Sequence, residues 1–180
     1  MKKETAKEET VAKQKRGVKA FLVLIAISLA AGNYVGWSTI FKEVKTYCSQ
    51  HSGSFWSLTD FSGGITGNPL VSACFWGSIV FLIAFAWTIS LLFEKSSVKL
   101  GLNIKRVWWL LLGGTIFALA NNIPVIYKFY TQPTGSFSSC SASAVNNPYL
   151  TSCFLGFSAF LVSFIFAIFA RRLVSKLNTK

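Results

Sequence analysis

Charge is what this sequence has least of. Only 13% of its 180 residues are Asp, Glu, Lys or Arg, and just 6 of those are acidic. Residues 20–41, 61–93, 107–127 and 129–170 carry no charged side chain at all. A soluble domain of this length could not cover its surface with so few charges. A membrane-spanning helix, by contrast, needs roughly 20 apolar residues, and each uncharged stretch can hold one. The single histidine, His51, rules out bis-histidine haem within one chain and leaves no histidine-based metal site. No acidic residue falls inside an uncharged stretch, which argues against a proton relay or sodium-coupled transport. There is no phosphate-cradling glycine loop, no nucleophile elbow and no metal-ligand spacing, so no catalytic residue and no metal or other cofactor is assigned.

The charges that are present are sorted along the chain. Lys2, Lys3, Lys7, Lys13, Lys15, Arg16 and Lys19 precede the first stretch, and Lys95, Lys99, Lys105 and Arg106 separate the second from the third. Arg171, Arg172, Lys176 and Lys180 follow the last, leaving only Lys42, Lys45 and Lys128 elsewhere. The positive-inside rule therefore expects both termini in the cytoplasm and two long outer loops. The net charge of +12 is an orientation signal beside an anionic leaflet, and no nucleic acid partner is implied. All five tyrosines lie near or beyond the expected outer ends, while Trp108 and Trp109 mark the inner interface. The expected setting is thus the lipid bilayer of a plasma (inner) membrane, crossed several times.

A repeat then supplies the architecture. Asn68-Pro69, four residues, Cys74-Phe75-Trp76-Gly77 returns as Asn147-Pro148, four residues, Cys153-Phe154-Leu155-Gly156. Extended to Phe85 and Phe164, the match holds about eight identities in eighteen positions. One structural unit used twice is the expectation: an all-α integral membrane protein with four transmembrane helices, arranged as two parallel tandem repeats of a helix–outer loop–helix unit. The divisions are a basic tail at 1–19, a first repeat at 20–94 with spans near 20–40 and 70–93 around an outer loop at 41–69, and a cytoplasmic linker at 95–106. A second repeat at 107–170 follows, with spans near 107–127 and 149–170 around an outer loop at 128–148, then a basic tail at 171–180. Ala31-Gly32-Asn33 and Ala120-Asn121-Asn122 align toward the outer ends of the first and third spans. The tail at 1–15 is expected either as a solvated helix or as a disordered segment. The first span also has the form of a cleavable signal peptide, but the third span is its counterpart, which favours retention.

Three groups of residues are singled out. Asn68-Pro69 and Asn147-Pro148 read as helix starts, because Asn is a good N-cap and Pro suits the first helical position. Asn33, Asn121 and Asn122 are amides in apolar helices, expected to bond across helices or to line a polar site. The four cysteines, Cys48, Cys74, Cys140 and Cys153, divide between two outer loops and two helix starts. Three disulfide pairings are open, and Cys48–Cys74 with Cys140–Cys153 is favoured because each unit then has its own staple.

Four spans, two cytoplasmic termini and two outer loops with a pair of cysteines each resemble the quinone-coupled disulfide-forming membrane proteins (the DsbB type) and the vitamin K epoxide reductase type. The resemblance implies thiol–disulfide exchange coupled to quinone, although the closely spaced Cys-x-x-Cys pair of those families has no counterpart here. The sequence by itself favours a disulfide-stabilised scaffold or a subunit of a membrane assembly, with a homo-oligomer or another membrane protein as partner. A membrane oxidoreductase of the resembling type, with quinone as its cofactor, and a small oligomeric transporter or pore are the two other readings.

Overall fold

The computed structural model describes residues 2–50, 70, 72–131, 149 and 151–178, and all regular structure among them is helical. The helices are α1 (Lys2–Gln50), α2 (Ala73–Leu92), α3 (Ser97–Thr131) and α4 (Ser152–Asn178). All four are long and apolar enough to cross a membrane. Neighbours run antiparallel, so the start of α1 and the end of α4 share one end of the bundle and the N-termini of α2 and α4 share the other, called here the distal end. α1 packs extensively on both α4 and α2, and α4 on α3, whereas α2 and α3 touch less.

The helices outrun the expected spans, for reasons visible in the residues. Residues 2–15 of the expected tail belong to α1, in a run that neither Gly nor Pro interrupts. At its other end α1 continues to Gln50, because neither Gly nor Pro interrupts the chain between Trp37 and that point. Cys48, expected in a loop, therefore lies in the last turn of α1, although its side chain is outside the described part. The expected linker at 95–106 is also mostly helix. Phe93 ends α2, and the Ser96 carbonyl and hydroxyl accept the Leu100 and Lys99 N–H groups at the start of α3. Leu100 and Ile104 then continue the buried stripe of Val107 and Leu111, so the segment has an apolar face to bury. α3 runs through Pro124 to Thr131.

Asn68, Pro69, Asn147 and Pro148 lie outside the described residues. The α-helices that follow are capped a few residues further on. The Ser72 hydroxyl accepts from the Phe75 N–H and the Thr151 hydroxyl from the Phe154 N–H, each at 3.2 Å. Both are hydroxyl N-caps of the ordinary kind.

The core repeats a spacing. Val18, Leu22, Ile25 and Leu29 are buried along α1, and Leu100, Ile104, Val107 and Leu111 along α3, with the same intervals of four, three and four. Phe81, Ala84, Thr88 and Leu91 on α2 match Phe160, Ser163, Ala167 and Ala170 on α4 in the same way. Two glycines let the large rings in: a Cβ on Gly32 would run into the Phe81 ring, and one on Gly114 would come within 2.6 Å of Phe160. Small residues of this kind drive close helix packing in lipid, where no water pushes helices together. Away from the distal end, the Arg171 guanidinium sits 4.8 Å over the Trp108 ring, a cation–π contact suited to an interface.

Candidate functional site: a thiol-lined cavity at the distal end

All four helices contribute to one cavity of about 60 Å³ at the distal half of the bundle. Its floor is the stacked pair Phe81 and Phe160, with ring centroids 3.7 Å apart and planes 23° from parallel. Gly32 and Gly36 line the α1 side, and Gly77 and Gly156 the sides of α2 and α4. On α3, Phe117 and Ala118 complete a mostly apolar wall.

The polar groups concentrate where α4 begins. The Ser152 and Thr39 hydroxyls meet at 2.7 Å, tying α4 to α1. The Asn122 amide donates to the Ala118 carbonyl at 2.7 Å and to the Cys153 carbonyl at 3.0 Å, tying α4 to α3. The first turn of α4 is therefore pinned from both sides. On α2, the Ser78 hydroxyl donates to the Cys74 carbonyl at 2.9 Å and packs against Gly36, whose missing side chain makes the room. Glu43, one turn beyond Thr39 on α1, lies close enough to Cys74 to act on it electrostatically. Its Oε1 is buried and has no hydrogen-bond partner.

Two sulfurs meet at this end. Cys74 Sγ and Cys153 Sγ are 3.2 Å apart. Cys74 carries a free thiol, while Cys153 is disulfide-bonded. Every pairing expected from the sequence put Cys74 in a disulfide, and here it is in none. The reason is geometric: Cys74 faces Cys153 across the bundle, and a sulfur already bonded cannot take a second partner. The Cys140 and Cys48 side chains lie outside the described part. At the rim, Tyr130 and Tyr149 share a hydroxyl hydrogen bond of 3.0 Å, which pushes the Tyr149 phenol above its usual range.

The cavity thus gathers Cys74, Cys153, Asn121 and Asn122 from the residues the sequence singled out. It does not gather Asn33. That amide donates to its own helix at Leu29, at 2.9 Å, and its Oδ1 is buried with no partner. Asn121 lines the cavity but bonds only within α3, to the Phe117 carbonyl at 2.8 Å. Of the three amides, only Asn122 bridges two helices. Thr39, Ser78, Ser152 and Glu43 escape a reading of the sequence, since a Ser or Thr in a membrane helix usually bonds its own preceding turn. Phe81 and Phe160 were within reach: they occupy matching positions of the Asn-Pro repeat.

Comparison with protein-family models, curated proteins and solved structures finds no match.

Proposed function

We propose that this chain is a subunit of a membrane assembly, a four-span scaffold built from two copies of one helix–outer loop–helix unit. Both termini would face the cytoplasm, and the membrane would be the plasma (inner) membrane. The two-copy reading is supported by residue pairs that meet across the bundle. Cys74 touches Cys153 and Phe81 stacks on Phe160, each pair separated by the 79 positions that separate the two Asn-Pro motifs. For the first helix of each unit the buried stripes suggest a separation of 82, which pairs Gly32 with Gly114. That register replaces the one that set Asn33 beside Asn122, and it explains why those amides play different parts.

The observation that carries the assembly reading is Gly113, an exposed glycine on α3 that the bundle does not use. A Cβ on Gly77 or Gly113 would meet nothing within 4 Å, unlike one on Gly32, Gly36 or Gly114. Gly77 is on α2 and Gly113 on α3, the neighbouring helices that pack least on each other. Gly113 lies one turn from Phe117, on the same face of α3. In lipid, such a face suits a transmembrane helix of a neighbouring subunit, by the close backbone approach that small residues allow.

Gly113→Leu tests this directly, because Gly113 is exposed and a Cβ there would meet nothing within 4 Å. The expected result is an unchanged melting temperature in detergent, together with loss of the larger species on native gels and in crosslinked membranes. A wild-type protein that is monomeric in its native membrane overturns the assembly reading. So does a complex that Gly113→Leu leaves undisturbed.

A further inference from the structure

We propose that the seam between α3 and α4, at the end of the bundle opposite the cavity, holds the headgroup of an anionic phospholipid. This goes beyond the assembly reading and does not depend on it. The carrying observation is a guanidinium seated on a ring with no anion to meet. Arg171 is exposed and stands 4.8 Å over the Trp108 ring, whose centroid lies 4.7 Å from that of Trp109 and 5.5 Å from that of Phe164. Lys105 lies one turn before Trp108 on the same side of α3, and Arg172 follows Arg171 on α4; both are exposed. Among the described residues, none of the three cations has a hydrogen-bond or ion-pair partner.

The two helices supply no anion of their own. All 6 acidic residues lie at or before Glu94, so α3 and α4 contain none. Glu94 itself accepts the Ser96 N–H at 3.1 Å, in the turn before α3. Like charges gathered on adjacent helices repel, and an anion from outside relieves that repulsion. An arginine seated on an aromatic face keeps its planar fork of N–H donors for an acceptor, and a phosphate meets that fork with two oxygens. An orientation signal needs none of this geometry, since it depends only on how many cations flank the spans.

What makes the anion a lipid is the surface that leads away from the site. Arg171 is the first charge after the uncharged stretch 129–170, and Lys105 and Arg106 are the last before 107–127. Lys105, Trp109 and Ile116 follow one another along one exposed stripe of α3, at steps of four and seven. Arg172, Ile165 and Leu161 do the same on α4, at steps of seven and four. Each stripe begins at a cation and continues as apolar surface toward the distal end, which suits a phosphate that carries acyl chains. A soluble phosphate or an acidic peptide would use the cations and leave the stripes unused. A zwitterionic headgroup brings its own cation to a site that already holds three, so the fitting lipid is one of net negative charge.

The test titrates the detergent-solubilised full-length protein with phosphatidylglycerol and reads bound lipid by native mass spectrometry. A discrete adduct is expected, together with a raised melting temperature. Phosphatidylcholine with the same acyl chains should give neither, and nor should inorganic phosphate. At about 1 kcal/mol per basic residue, Lys105→Gln should weaken the adduct roughly fivefold, and Lys105→Gln with Arg171→Gln roughly thirtyfold. Lys105 has no partner to lose, so the single variant keeps its fold even where the double one does not. Arg16→Gln with Lys19→Gln removes the same charge from α1 at the same end, and should leave the adduct unchanged. Equal weakening by the two double variants reduces the site to general surface attraction and overturns the proposal. So does phosphatidylcholine, inorganic phosphate or a polyglutamate peptide that binds as well as phosphatidylglycerol.

Discussion

At the scale of the residue, the structure separates side chains that the sequence presents as alike. Asn33 and Asn122 are both amides in uncharged helical stretches, and both donate to the carbonyl four positions earlier. Only Asn122 has a second bond, to the Cys153 carbonyl on another helix. Interhelical hydrogen bonds in membrane proteins average about 0.6 kcal/mol and reach about 2 kcal/mol. Asn122→Leu, close in volume, should therefore destabilise the bundle by about that range, measured by thermal unfolding in detergent. Asn33→Leu should leave stability unchanged or raise it, because it removes a buried oxygen that has no partner, a defect worth about 1–3 kcal/mol. Equal losses from both substitutions would contradict the assignment of the clamp to Asn122. No count of polar residues could separate these two positions. What differs is which neighbouring backbone happens to face each amide.

At the scale of the element, the helices are longer than the hydrophobic stretches that announce them. The uncharged runs locate where lipid is to be covered. The ends of the helices answer to other rules, namely caps, turn residues and the next apolar position worth burying. Leu100 and Ile104 draw residues expected as a linker into α3, and the lack of a breaker carries α1 on to Gln50. The starts of α2 and α4 are the sharpest case. Asn68-Pro69 and Asn147-Pro148 are good local signals, yet the hydroxyls that accept helix N–H groups are those of Ser72 and Thr151. Ser72→Ala and Thr151→Ala should each cost about 1 kcal/mol. Thermal unfolding would check this, and Gly in place of Ala should be milder, since Gly itself is a tolerable N-cap. Because Cys74 and Cys153 follow directly, the same substitutions should also alter the alkylation rate of Cys74.

At the scale of the whole molecule, the arrangement of basic residues makes a prediction that the fold alone does not. Fusing a cytoplasm-dependent fluorescent protein after Lys180 should give fluorescent cells. An export-dependent phosphatase inserted between residues 51 and 69 or between 132 and 148 should be active. The opposite pattern would require charge to be overruled as the orientation signal. The bundle itself gives each end a distinct character. Arg171 over Trp108 suits the boundary with the basic side, and Tyr130 with Tyr149 suits the other. Between them, Phe81 and Phe160 fill the middle of the molecule, so the cavity belongs to the distal half.

What the sequence determined by itself is whatever depends on composition and period. Long uncharged stretches impose helices that satisfy their own backbone groups, because lipid offers no other partner. Basic clusters argue an orientation, and a repeated motif marks matching positions. The tertiary structure decided which of those positions meet. It paired Phe81 with Phe160 and Cys74 with Cys153, left Cys74 a free thiol, chose Asn122 over Asn33 as the clamp, and left Gly113 exposed with nothing opposite it. The physical reason is that an apolar helix in lipid gains nothing from hiding one face in particular. Its rotation and register are set by shape, by whether a glycine stands opposite a ring or a carbonyl opposite an amide. Those are relations between two helices, and no single stretch of sequence contains them.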